Sequence, residues 1–195
     1  MGLDSIELVM EVEKHFKISI TDPEAEKIYT VQAMVDIVAS HLNITDKGAE
    51  LRDKIFDNVN EALLKLHVTA TPISLTDKVS KYLSPEIPET WQLFKKELQL
   101  DVPNPEIVKG SSFKIIDKIK YAFNWAPLYD WSCITIDQFV AAICACNHEA
   151  LINKERVTSL YEIYIAVIAI TVNKTGVDYY EISPEKSFTN DLGVD

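Results

Sequence analysis

Apolar residues recur every three or four positions over long stretches of the chain, which is the spacing of amphipathic helices. The clearest stretches are residues 3–16, 31–41, 51–66 and 155–172. Glycine, which interrupts helices, accounts for only 5 of the 195 residues. The pattern therefore predicts an all-α protein.

The first stretch separates apolar from acidic positions. Its predicted inward residues are Leu3, Ile6, Val9, Met10, Val12 and Phe16. Asp4 and Ser5 fall in the first turn, where short polar side chains can satisfy free backbone N–H groups. A short helix is expected from residue 22 to 28, since proline is tolerated in a first turn, and Thr30 is expected to cap the next helix.

The stretch 155–172 is more apolar than a surface helix should be. Its predicted inward residues are Val157, Leu160, Tyr161, Tyr164, Val167, Ile168 and Val172. A helix of this kind has more than one face covered by other parts of the protein. Residues 173–195 are predicted to form a loop.

The middle of the chain resembles its two ends. The aligned segments are 89–98 with 7–16, 135–140 with 30–35, and Thr71-Pro72 with Ser183-Pro184. An internal repeat of this size indicates duplication of one helical unit. In this alignment residues 101–132 are an insertion, of which 111–124 are predicted to be helical and 124–131 to form an aromatic loop.

The net charge is −11 and is concentrated at the ends. Residues 1–43 carry −5 and residues 155–195 carry −4, against −2 for residues 44–154. This charge argues against nucleic acid as a partner and favours a basic protein surface.

No segment of the sequence predicts a membrane span. The densest apolar run, 163–172, is shorter than the roughly 20 residues a bilayer requires. The first twenty residues are acidic and amphipathic, unlike a secretory signal. We expect a cytoplasmic protein.

The cysteines and histidines indicate neither a metal centre nor an enzyme. Cys133, Cys144 and Cys146 are interpreted as buried helical thiols, because no Cys/His set completes four ligands. The four histidines are scattered, and neither a nucleophile arrangement nor a glycine-rich phosphate loop is present.

Read from tail to head, the two ends resemble the signature of acyl carrier proteins. The chain ends in Phe-Thr-Asn-Asp-Leu-Gly-Val-Asp, and its first helix contains Leu-Asp followed by Glu-Leu-Val-Met. The resemblance implies two acyl-carrier-like four-helix bundles. One is a circularly permuted domain formed by 1–43 plus 155–195, and the other is a degenerate domain formed by 44–154 with an insertion at about 101–132.

This resemblance also implies that the ends of the chain meet in space. They would do so within a closed monomer, or by exchange between two chains in an end-swapped dimer.

In carrier proteins a serine at the start of the acidic helix carries 4′-phosphopantetheine, whose thiol holds the acyl group. Gly2 stands at that position here. The resemblance therefore implies a docking or regulatory module in acyl, fatty-acid or polyketide-type metabolism, without a cofactor. The alternative is a working carrier that is modified at Ser5 or Ser84. The simpler interpretations are a first-turn polar residue for Ser5 and an N-cap before Pro85 for Ser84.

Four acids of the first helix are candidate docking residues: Asp4, Glu7, Glu11 and Glu13. In the carrier family such acids steer the domain onto basic surfaces of acyl-metabolism enzymes. The alternative is an ordinary solvated helix face. Asp191 and Asp195 are either loop-capping residues or remnants of a modification site.

Overall fold

The computed structural model describes residues 3–84, 87–104 and 130–194. Within these ranges the chain is helical, without strands, which confirms the predicted all-α class. The α-helices are α1 (Leu3–Phe16), α2 (Asp22–Ala25), α3 (Val31–Leu42), α4 (Glu50–Lys65), α5 (Pro88–Leu98), α6 (Ile136–Cys146), α7 (His148–Leu151) and α8 (Leu160–Thr175). Short 3-10 turns lie at Val79–Lys81, Trp131–Cys133 and Tyr179–Glu181. The predicted features at 111–124 and 124–129 lie outside the described residues.

The long helix α8 lies at the centre of the fold. It contacts α1, α3 and α6, with smaller contacts to α4 and α7. Its buried residues are Ile163, Ile165, Ala166, Val167, Ile168, Ala169, Ile170 and Thr171. The expectation that more than one of its faces is covered is therefore confirmed, and burial extends well beyond the predicted inward positions.

Helix α8 begins at Leu160, five residues later than predicted, because Ser159 caps it. The Ser159 hydroxyl accepts a hydrogen bond from the Glu162 backbone N–H at 3.2 Å. A serine followed three residues later by a glutamate is a helix-start pattern. The helix extends past Val172 to Thr175 and ends at Gly176, whose φ of 74° suits glycine.

Helices α1 and α3 have the predicted bounds, apart from one added residue at the end of α3. Thr30 caps α3 as expected, with its hydroxyl 3.2 Å from the Ala33 N–H that donates to it. The predicted inward stripe of α1 is wrong at Ile6 and Met10, which are 45% and 59% exposed. The stripe is correct at Val9, Val12 and Phe16, which are buried together with Leu8.

Helices α3 and α6 are entered by the same backbone arrangement. Before α3, Phe188 N–H donates to Tyr29 O (3.1 Å) and Val31 N–H donates to Lys186 O (3.0 Å). Before α6, Val79 N–H donates to Ile134 O (3.0 Å) and Ile136 N–H donates to Asp77 O (2.8 Å). An isolated antiparallel bridge completes each set: Thr30 with Ser187, and Lys78 with Thr135.

Two further hydrogen bonds show which residues of the two loops correspond, and they change the alignment predicted from the sequence. Gln32 N–H donates to Pro184 O (2.8 Å), and Asp137 N–H donates to Leu75 O (3.0 Å). Pro184 therefore corresponds to Leu75 rather than to Pro72. The predicted alignment of Pro72 with Pro184 was wrong by three residues. It relied on a shared residue type, whereas the backbone hydrogen bonds follow a different register.

Helices α1 and α5 share the spacing of their buried residues. Val9, Val12 and Phe16 are buried in α1, and Trp91, Phe94 and Leu98 in α5. This is the register in which the sequence aligns Glu89 with Glu7. Helix α5 begins at Pro88 after Ile87, so the interpretation of Ser84 as its N-cap is wrong.

Candidate docking surface

The outer face of α1 carries two exposed apolar side chains, Ile6 and Met10. Residues four apart on a helix lie on the same face, about one turn from each other. Val9, Val12 and Phe16 anchor the opposite side of α1 in the core. We call Ile6, Glu7, Met10 and Glu11 the α1 outer face.

The prediction that Ile6 and Met10 lie in the core is wrong, and the sequence itself contains a signal against it. Helix α1 contains more apolar residues than one face can hold, and Leu8, which lies outside the predicted inward stripe, is only 2% exposed. Including Leu8 rotates the buried face away from Ile6 and Met10.

The candidate docking acids differ in their surroundings. Glu7 is exposed on the α1 outer face. Glu11 lies 3.2 Å from Lys14 Nζ and 3.5 Å from Lys174 Nζ, which joins α1 to α8. The hydrogen bond from Lys14, together with the charges of both lysines, lowers the pKa of Glu11. Glu11 is therefore negatively charged but partly neutralised by its neighbours.

Glu13 stabilises the chain beyond α1. Its Oε1 accepts a hydrogen bond of 2.7 Å from the Ile20 backbone N–H. This bond holds the segment after Lys17, whose φ of 56° ends the helix. The side chain of Asp4 lies outside the described part of the structure. Of the four predicted acids, Glu7 is thus the one placed on the outer face without a described ion pair.

The two candidate modification residues lie in different settings. Ser5 is half-buried in the first turn of α1, and its hydroxyl donates to Val194 O at 3.5 Å. Ser84 is half-buried in the loop before α5, and its carbonyl accepts a hydrogen bond from Ile87 N–H at 3.1 Å. The hydrogen bond of Ser5 with Val194 and that of Ser84 with Ile87 lie in different parts of the chain. Gly2 lies outside the described residues.

A cavity of about 330 Å³ lies beside Asp191, between the turn at 130–134 and the loop 180–191. Four carboxylates line it, and three of them accept hydrogen bonds within their own loops. Asp191 accepts from Ser187 N–H (2.8 Å), Glu185 from the Ser183 hydroxyl (2.6 Å), and Asp130 from Ser132 N–H (2.9 Å). For Asp191 this favours the loop-capping interpretation, whereas Asp195 lies outside the described residues.

The cysteines only partly follow the prediction. Cys144 is buried in α6 and Cys146 is half-buried at its end, but Cys133 is exposed in a 3-10 turn. Within the ranges that the structure describes, no group of three or more His, Cys, Asp or Glu side chains is arranged to hold a metal ion. No described helix is long and apolar enough to cross a membrane.

The sequence matches no model of a known protein family, and the structure matches no solved structure. Family membership is therefore a proposal that depends on the residues and contacts described above.

Proposed function

We propose that this chain is an acyl-carrier-like protein that acts as a docking or regulatory module in acyl metabolism, without a phosphopantetheine arm of its own. The observation that carries the proposal is the α1 outer face. It presents Ile6 and Met10 to solvent beside Glu7, on the helix whose sequence resembles the recognition helix of carrier proteins.

An exposed apolar pair with adjacent acids is suited to a partner that offers an apolar pocket within a basic rim. The apolar side chains supply most of the affinity once they are desolvated, and the acids steer the encounter. Surface hydrophobic residues are common when scattered singly. What favours docking here is their i, i+4 spacing on one rigid helix.

The proposed architecture is two carrier-like bundles, one permuted and one degenerate. Helices α1, α3 and α8 supply the first, and α4, α5 and α6 the second. The matching hydrogen bonds before α3 and α6 support this division, as do the contacts of α4 with α5 and α6. Helix α8 packs against α1 and α3 and also against α6, so it joins the two proposed bundles. The junction at Ser5 and Val194 supports permutation, since it joins α1 to the loop that would precede it in a carrier protein.

The absence of an arm is proposed from Gly2 in the sequence. The test is incubation with a phosphopantetheinyl transferase and coenzyme A, followed by intact-mass spectrometry. We expect no mass increase. Stoichiometric addition of one arm would favour the alternative, a working carrier. Ser5→Ala and Ser84→Ala would then identify the acceptor, and uptake by the double variant would exclude both serines.

Docking is tested with a condensing enzyme of fatty-acid synthesis that has a basic carrier-binding patch. Titration of the isotopically labelled chain should shift the backbone NMR signals of residues 6–11. Met10→Ser should weaken binding about tenfold, corresponding to roughly 1.4 kcal/mol. Leu93→Ser on α5 is the matched control, because Leu93 is 54% exposed, and it should leave binding unchanged. Equal effects of the two substitutions would count against docking through α1.

A further inference from the structure

Two imidazole rings from distant parts of the chain lie beside each other. His15 is near the end of α1, and His148 is the first residue of α7. Their ring centroids are 6.1 Å apart, and both residues are half-buried. The pair therefore lies where the first segment of the chain meets the segment that follows α6.

Of the two rings, His15 lacks, within the part of the chain that the structure describes, the hydrogen-bond acceptor that a positive charge would need, whereas His148 has one. His148 Nδ1 lies 3.1 Å from Ala145 O and can donate to it. His15 Nε2 is buried and has no hydrogen-bond partner among the described residues. The edge contact of His15 with Phe16, with centroids 4.7 Å apart, adds an apolar neighbour. In the imidazolium ion both ring nitrogens carry hydrogen, so protonated His15 would place a charged N–H donor in a site without an acceptor. That arrangement costs more than burying the neutral ring.

The charged groups around the pair come from both sides. Glu11 faces His15 from α1, and Glu149 and Lys154 face it from the other segment, along with His148 itself. The pKa of His15 is lowered, chiefly by burial and to a smaller extent by the charges of Lys154 and His148. Glu11 and Glu149 act to raise it. Burial also lowers the pKa of His148, although the Ala145 carbonyl and Glu149 act in the other direction.

An ion pair between the described residues of this junction is weak. Lys17 Nζ and a Glu155 carboxylate oxygen are 3.4 Å apart, and both side chains are about four-fifths exposed. Exposed ion pairs contribute little. Lys154 is itself held by Glu149 at 2.8 Å, which keeps its positive charge close to the rings.

We propose that His15 and His148 form a pH-sensitive latch that holds the end of α1 against α7 when both rings are neutral and loosens in mildly acidic solution. The proposal is independent of the docking function. A locally opened state exposes both rings to water and binds protons more readily than the closed state. Opening is therefore favoured as the pH falls below about 6.5, the ordinary value of a free histidine. Above that pH the pair contributes its full stabilisation.

The test is amide hydrogen exchange at pH 7.5 and 5.5, corrected for the intrinsic pH dependence of exchange. In the wild type we expect protection at residues 12–17 and 147–152 to fall roughly threefold or more at the lower pH, relative to the core of α8. His15→Gln/His148→Gln should lose this difference. His67→Asn is the control, because His67 is exposed and has a φ of 56° that asparagine tolerates, and it should behave as wild type. Unchanged protection in the wild type, or a persisting difference in the double variant, would overturn the latch.

A second measurement applies if the double variant does not fold. The ring protons of wild-type His15 and His148 can be followed by NMR across the same pH range. Titration of both below the ordinary histidine range supports the latch, and titration of either within or above that range contradicts it.

Discussion

Lys17 and Gln99 lie 82 residues apart, and each ends a helix with a backbone φ of 56°. His67, which follows α4, and Gly176, which ends α8, also have left-handed φ values, of 56° and 74°. Residues other than glycine seldom adopt this left-handed conformation. The left-handed ends agree for α1 with α5 and for α4 with α8, but not for α3 with α6, where Asn43 has a φ of 55° and Asn147 a φ of −106°. Left-handed residues commonly end helices, so this agreement does not by itself indicate duplication.

Gly48→Ala should destabilise the fold by about 3 kcal/mol, from overpacking and left-handed strain together. Gly48 has a φ of 50°, and an added Cβ would overlap the side chain of Ser159, which caps α8. Gly176→Ala is the matched control, since its φ is 74° but nothing lies within 4 Å of the added atom. It should cost only about 1 kcal/mol. Urea unfolding with unchanged m-values measures both, and equal losses would show that the overlap is relieved without cost.

Thr30→Ala and Thr135→Ala should each cost about 1 kcal/mol, because they remove corresponding N-caps. The Thr30 hydroxyl accepts from Ala33 N–H and that of Thr135 from Gln138 N–H, both at 3.2 Å. Thr→Ser at each site keeps the oxygen and should stay within a few tenths of a kcal/mol of wild type. Chemical denaturation compares the four variants. A loss at only one threonine would contradict the equivalence of the two caps.

Tyr180→Phe should cost about 1 kcal/mol, through loss of the hydrogen bond from the hydroxyl to Pro103 O at 2.8 Å. Tyr180→Ala should cost about 3–5 kcal/mol. The ring is buried and stacks on Phe139, with centroids 6.3 Å apart and planes 10° from parallel. Tyr29→Ala, at a residue 71% exposed, should change the free energy of unfolding by less than about 0.5 kcal/mol. Thermal or urea unfolding measures the stability of the three variants. The prediction is wrong if the Tyr180 and Tyr29 alanine variants are equally stable.

Cys133 should react with iodoacetamide roughly a hundredfold faster than Cys144 in the folded protein at pH 8. Burial raises the pKa of the Cys144 thiol to about 12, so it remains protonated, whereas Cys133 is exposed. Peptide mass spectrometry after timed alkylation measures the two rates. The difference should disappear in denaturant. Rapid labelling of Cys144 in folded protein would mean that α6 and α8 separate readily.

The helices could be predicted where periodicity and capping residues agree. Residues 3–16 and the cap at Thr30 are examples, because both depend on interactions within a few residues. The start of α8 was missed because its apolar pattern extends back through Val157, whereas the Ser159–Glu162 pair sets the boundary. The predicted alignment of the two loops was wrong for a related reason. Prolines at 72 and 184 suggested one alignment, and hydrogen bonds to Leu75 and Pro184 gave another.

The candidate surface was predicted only in part. Glu7 was identified from the acidic pattern, but Ile6 and Met10 were placed inside. An apolar residue on a helix with two apolar stripes is buried or exposed according to which stripe meets a neighbour, and periodicity does not contain that information. The contribution of Glu13 to the fold depends on the chain turning back after Lys17, which brings Ile20 N–H to its carboxylate.

By itself the sequence determined the helical class, the bounds of α1 and nearly those of α3, and the acidic character of the first helix. These follow from the spacing and charge of residues close together along the chain. The tertiary structure decided which side of α1 faces water, how the two sets of loops align, and that His15 meets His148. Those outcomes depend on contacts between residues far apart in the chain, whose energies are settled only when the helices pack around α8.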